Sequence, residues 1–161
     1  MKLSESTILA ITAGIAGVAT LFTLIGLTTP KWLRNGYGLW NCNNVCSPST
    51  ATLTILSLLC LVASFILLII LLIRAFPRKF RYIPLCLLII GTLFLLISTA
   101  SYLRHAKIIG YSYELVVTGH AFAYFASIIL AFWFGTTINE KSAARSITQP
   151  PTITLPTSRG L

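Results

Sequence analysis

Residues 51–73 read ATLTILSLLCLVASFILLIILLI, an apolar run without a single Lys, Arg, Asp or Glu. A helix rises about 1.5 Å per residue and a bilayer's hydrocarbon core is about 30 Å thick, so a run of this length crosses once. Three further runs have the same character: Thr7–Leu27, Tyr82–Tyr102 and Leu115–Thr136. A backbone in lipid must satisfy its own hydrogen bonds, which makes each run a helix. The sequence therefore predicts an all-α membrane protein, a left-handed bundle of four transmembrane helices.

Hydrophobic residues make up 56% of the 161 positions and charged residues only 9%. The spans leave no room for a separate soluble domain. One transmembrane domain is expected over 1–137, with connections at 28–50, 74–81 and 103–114 and a disordered tail over 138–161. Pro150, Pro151 and Pro156 and several Ser and Thr mark that tail. The first run is expected to be retained, because Leu27-Thr28-Thr29-Pro30 is a poor signal-peptidase site.

A net charge of +9 would suggest nucleic acid in a soluble protein. Here basic residues flank helices and orient them in the bilayer. With both termini cytoplasmic, Lys2, Arg74, Arg78, Lys79, Arg81, Lys141, Arg145 and Arg159 lie inside, against Lys31, Arg34, Arg104 and Lys107 outside. The positive-inside rule favours that arrangement. It predicts a multi-pass plasma-membrane protein with the second connection in the cytosol. Arg74, Arg78, Lys79 and Arg81 are the candidate contacts for anionic lipid headgroups.

Small residues recur at four-residue spacing within the spans: Ala10/Gly14, Ala13/Gly17, Cys60/Ser64, and a stripe of Gly119, Ala123, Ser127, Ala131 and Gly135. Such stripes let helix backbones approach closely where lipid supplies little driving force for association. Packing within the bundle is their expected role, and contact with a partner's helix is the alternative.

The first connection, 28–50, is the longest. Asn35-Gly36 favours a tight turn between Trp32/Leu33 and Tyr37/Leu39, consistent with a small β-hairpin-like cap. Cys60 and Cys86 fall inside helices and are expected to be small buried hydrophobes. Cys42 and Cys46 fall outside, where disulfides persist, and three intervening residues can bring them into bonding range. A disulfide that pins the cap is expected. A zinc site is the rival, although His105 is the sole further strong ligand on that side, and no metal or other cofactor is expected.

The pattern Trp32…Gly38-Leu39-Trp40…Cys42…Cys46 resembles the extracellular signature of the claudin, epithelial membrane protein and peripheral myelin protein superfamily, which also includes the lens intrinsic membrane protein. Phe80-Arg81-Tyr82-Ile83, Ser101-Tyr102-Leu103-Arg104-His105 and Gly110-Tyr111-Ser112-Tyr113 look like its short-loop myelin and epithelial branch. The resemblance implies that Trp40 wedges between the loop and the helix ends. It also implies that Cys42–Cys46 is the family's loop disulfide. Claudins carry a much longer stretch between the first Trp and Gly-Leu-Trp. Here only Leu33–Tyr37 intervenes and Glu114 is the sole outside carboxylate, which disfavours a paracellular cation channel.

Three acidic residues and two histidines make no familiar catalytic set, so an enzyme is not expected. His120 lies within the fourth run, where an ionisable side chain is a functional candidate by default. With no acid at that depth, a neutral imidazole hydrogen-bonded to a neighbouring helix is the expectation. The predicted role is organisation of cell–cell contacts through the extracellular loops. Trp32, Leu33, Tyr37 and Leu39 would supply apolar contacts to the same protein on the same or an opposing cell. An auxiliary subunit packed against a channel or receptor is the alternative.

Overall fold

The computed structural model describes residues 5–32, 48–73, 81–105 and 110–148. Four helices follow one another: α1 (Glu5–Thr28), α2 (Pro48–Leu72), α3 (Ile83–His105) and α4 (Tyr111–Thr148). All four are long and apolar enough to cross a membrane, so the chain is a multi-pass membrane protein in contact with the bilayer. Each packs antiparallel on its neighbours in a ring: α1 chiefly on α4, α2 chiefly on α3, with lighter seams at α1/α2 and α3/α4. No strand occurs among the described residues; the hairpin-like cap and the Cys42–Cys46 pair fall on 33–47, outside them.

The expected tail begins later than the sequence suggested. Helix α4 continues from the predicted span through Thr148. Glu140, Lys141, Ala143, Ala144 and Arg145 are good helix formers, and the first proline is Pro150. Composition that is too polar for lipid is therefore still compatible with helix, and residues 149–161 lie outside the described ones.

The bundle interior admits many small and hydroxyl-bearing side chains beside leucines such as Leu61, Leu88 and Leu95, and many large apolar side chains stay outside. Ala16, Ala19, Thr12, Thr23, Thr54, Ser57, Ser64 and Ser98 are almost fully buried, whereas Leu21, Leu59, Leu93 and Phe132 face outward. Lipid tails solvate Leu as well as a neighbouring helix does, so association depends on close approach and hydrogen bonds. One buried stripe on α2 runs 50, 54, 57, 61, 64, 68, 71 and one on α3 runs 84, 88, 91, 95, 98, 102, in steps alternating four and three, with Ala51, Thr92 and Thr99 buried beside them.

Hydroxyls stitch α2 to α3 along that seam. Ser57 donates to the Gly91 carbonyl and Ser64 to the Pro84 carbonyl, each at 2.8 Å. Near the other end the hydroxyls of Thr54 and Ser98 lie 2.6 Å apart, and both reach the Thr50 carbonyl, at 2.8 and 3.0 Å. Gly91 makes room for α2, since a Cβ there would lie 3.2 Å from Cys60 Cβ.

The α1/α4 seam relies on bulk removed rather than on hydroxyls. A Cβ on Gly119 would lie 2.8 Å from Thr23 Oγ1 and 3.0 Å from the Ala19 carbonyl. The Thr23 hydroxyl donates to that same carbonyl, which satisfies it within its own helix. Phe22 and Phe122 stack across the seam at 5.9 Å.

Two expectations follow for unfolding measured in detergent micelles or bicelles. Thr54→Val with Ser98→Ala should lower stability by about 1–2 kcal/mol, in keeping with the modest worth of interhelical hydrogen bonds in membranes. Gly119→Leu should do more, preventing the α1/α4 pair from closing, while Gly135→Leu, with nothing within 4 Å of its Cβ, should be silent.

Candidate functional site: an aromatic knot at the Trp32 end of the bundle

Helix α1 ends where Thr28 and Thr29 turn their hydroxyls back onto the carbonyls of Leu24 and Ile25. Pro30 then prevents continuation, because it has no N–H to give. Within two residues the chain has folded back, and Trp32 Nε1 donates to the Gly26 carbonyl at 2.8 Å. The indole has no solvent-accessible surface.

Two donors converge on the Trp32 main-chain carbonyl: the Tyr102 hydroxyl and the Gly110 amide, both at 2.8 Å. The Ser112 amide reaches the Lys31 carbonyl and the Ser112 hydroxyl reaches the Thr29 carbonyl, each at 3.3 Å. The end of α1 is thereby tied to the end of α3 and the start of α4. The rings complete the knot. Trp32 meets Tyr102 and Tyr113 edge-on at 5.2 and 6.3 Å, and the two tyrosines stack at 5.2 Å. Such pairs add about 0.5–1.5 kcal/mol each beyond burial.

Two glycines are obligatory here. A Cβ on Gly110 would fall 2.1 Å from the Lys31 carbonyl oxygen, and one on Gly26 would fall 2.6 Å from Val116 Cγ2 and 2.9 Å from the Ser112 carbonyl. The Tyr102 stretch and the Gly110-Tyr111-Ser112-Tyr113 stretch, separate in sequence, thus meet around the first tryptophan of the loop motif.

Trp32 is corrected from an exposed apolar contact to a buried anchor, because its N–H and carbonyl both find partners inside. Leu33, Tyr37, Gly38, Leu39, Trp40, Cys42 and Cys46 lie outside the described residues, as do Arg74, Arg78 and Lys79. Arg81, expected at lipid headgroups, lies over the Trp133 ring at 5.6 Å, a cation–π contact at the opposite end of the bundle. Tyr82 there meets Phe134 at 5.0 Å.

The small-residue stripes divide. Ala13 is buried, Gly17 faces Phe65 of α2, and Gly119, Ala123 and Ser127 are buried on α4. Ala10, Gly14, Ala131 and Gly135 face outward. Four residues turn an α-helix by about 400°, so such a stripe drifts about 40° per step and leaves a straight seam. Cys86 is exposed and Cys60 half-buried, not the buried pair expected, since Cys86 points away from the face carrying Pro84 and Leu88.

His120 is half-buried in α4, and its Nδ1 is sealed without a partner. The expected hydrogen bond to a neighbouring helix is absent among the described residues. The facing part of α3 offers Ile89, Leu93 and Leu96, and the Thr92 hydroxyl is spent on the Ile89 carbonyl. No group of three or more His, Cys, Asp or Glu gathers among the described residues.

No family model, curated protein or solved structure matches the chain. The knot itself was missed from sequence. It joins Gly26 and Gly110 at span ends with Tyr102, eight residues before Gly110, and Tyr113, three after it, and no local pattern links these to Trp32.

Trp32→Ala should cost about 3–5 kcal/mol, the usual price of emptying a large aromatic site, and Tyr102→Phe about 1 kcal/mol. Gly110→Ala should prevent folding at this end altogether. Thermal unfolding followed by tryptophan fluorescence, with surface delivery in cells, measures all three.

Proposed function

We propose that this is a non-enzymatic four-span protein of the claudin-like kind, which organises membrane contacts through its loop 33–47. The observation that carries the reading is the anchoring of that loop at both ends. Its first neighbour, Trp32, is locked into the bundle, and its last residue precedes Pro48, where α2 begins. A short segment held at both ends by a membrane bundle is suited to display contact residues, and the bundle interior is used for packing.

In this reading the bundle is left-handed, supported by the alternating three- and four-residue spacing of buried positions. Cys42–Cys46 closes a small cap, with Leu33, Tyr37 and Leu39 exposed upon it and Trp40 wedged beneath it. The loop is extracellular, both termini are cytoplasmic, and the protein works at plasma-membrane junctions with itself in cis or trans. Kinship with the claudin superfamily rests on the loop motif and on Tyr102 and Gly110–Tyr113.

Expressed in cells that normally lack contacts, the protein should concentrate at cell–cell borders. Leu33→Ser with Tyr37→Ser and Leu39→Ser should disperse it without reducing its surface level. Uniform staining of the unaltered protein would defeat the proposal.

A second reading, an auxiliary subunit of a channel or receptor, is favoured by Gly14 and Gly135, which point out of the bundle with nothing within 4 Å. Gly14→Leu with Gly135→Leu should then abolish co-purification of a membrane partner while leaving border localisation unchanged.

A further inference from the structure

The α3/α4 seam is the lightest of the four in the ring and is pinned at its two ends. Tyr102 stacks on Tyr113 at one end, and Tyr82 meets Phe134 at the other. Between these clasps the helices part around a cavity of about 350 Å³. That volume lies within the range of about 300–1,000 Å³ typical of small-molecule sites.

The walls are apolar with a few polar groups. Leu93 and Leu96 come from α3 and Tyr124 from α4, and all three are about half exposed at the mouth, which faces the hydrocarbon. Thr92 and Ser127 also line it, but their hydroxyls already donate to the carbonyls of Ile89 and Ala123. His120 is the polar group left unmet. With Nδ1 sealed inside the protein, Nε2 is the ring nitrogen left to meet a ligand. A ring nitrogen without a partner in hydrocarbon is costly, and a hydrogen bond at Nε2 would relieve that nitrogen while leaving the sealed Nδ1 as it is.

We propose that this cavity binds a neutral lipid whose only hydrogen-bond donor is a single hydroxyl, with that hydroxyl bonded to His120. The apolar walls select a hydrocarbon body. The depth selects the head: His120 is nine residues inside the Tyr111–Thr137 span, where a charged or zwitterionic headgroup would be dragged below the interface. A hydroxyl both donates and accepts, so it suits a neutral imidazole in either tautomer. Sterols and diacylglycerols share this chemistry, and the bilayer delivers either one sideways through the open seam. The inference is independent of the loop and of its contacts.

The test uses the full chain reconstituted in phosphatidylcholine vesicles, with a photoreactive sterol in one arm and a photoreactive diacylglycerol in the other. Saturable labelling of the α3 and α4 peptides that line the cavity is expected in at least one arm, competed by the unlabelled lipid, and the arm identifies the source. His120→Leu should reduce it at least tenfold, and Leu93→Trp, which fills the mouth from an exposed position, should do the same. A readout on the unaltered protein guards against misfolding. With ¹⁵N-histidine, the His120 ring nitrogens should shift on titration with the lipid while those of His105 stay fixed. Unsaturable labelling over the whole lipid-facing surface, labelling undiminished by both substitutions, an unmoved His120 signal, or a second copy crosslinked in the seam would each overturn the proposal.

Discussion

One main-chain carbonyl, that of Trp32, organises the end of the bundle from which the longest connection departs. It accepts from a side chain of α3 and from the amide just before α4, using both lone pairs. The indole of the same residue returns a hydrogen bond to α1. Three of the four helices are therefore referenced to a single residue. A carbonyl left unpaired in this surrounding would cost about 1–3 kcal/mol, so the knot is favourable only when all its members arrive together. Such mutual dependence makes the outgoing chain start from a fixed place.

The rest of the fold follows from lipid as solvent. Because a leucine gains little by leaving lipid for a helix interface, Ala, Gly, Ser and Thr share the interior with leucines such as Leu61, Leu68, Leu88 and Leu95. Each buried hydroxyl then needs an acceptor. Within α1 and α4, Thr12, Thr23 and Ser127 use carbonyls one turn earlier in their own helix. Between α2 and α3, Ser57, Ser64 and Ser98 cross to the neighbour. The two strong seams thus differ in kind: one is closed by steric fit at Gly119 and Gly26, the other by hydrogen bonds. The α3/α4 seam has neither device in its middle, and that is where space remains.

Helix number and approximate bounds were legible from sequence because a span without charge has no competing interpretation. Which face of each helix turns inward was not, since the spans are apolar all round and amphipathic periodicity is nearly absent. Four-residue small stripes were a partial guide. Gly119 and Ala123 of one such stripe are buried, whereas Ala131 and Gly135 are exposed, where helical drift carries the stripe out of the seam. An apolar side chain in a loop poor in charge reads as a surface contact, and the sequence pattern around Trp32 offers nothing against that reading. The burial of Trp32 depends on Tyr102 and Gly110, seventy and seventy-eight positions away, and no local pattern announces such a contact. The extension of α4 to Thr148 was hidden by judging residues on their polarity rather than on their helix propensity.

The central claim is that the Trp32 side chain and carbonyl are locked inside the bundle, and hydrogen exchange tests it most directly. In bicelles, the Trp32 indole N–H and the Gly110 amide should exchange as slowly as amides in the middle of α1. Rapid exchange at both, at the rate of amides in an exposed loop, would contradict the account.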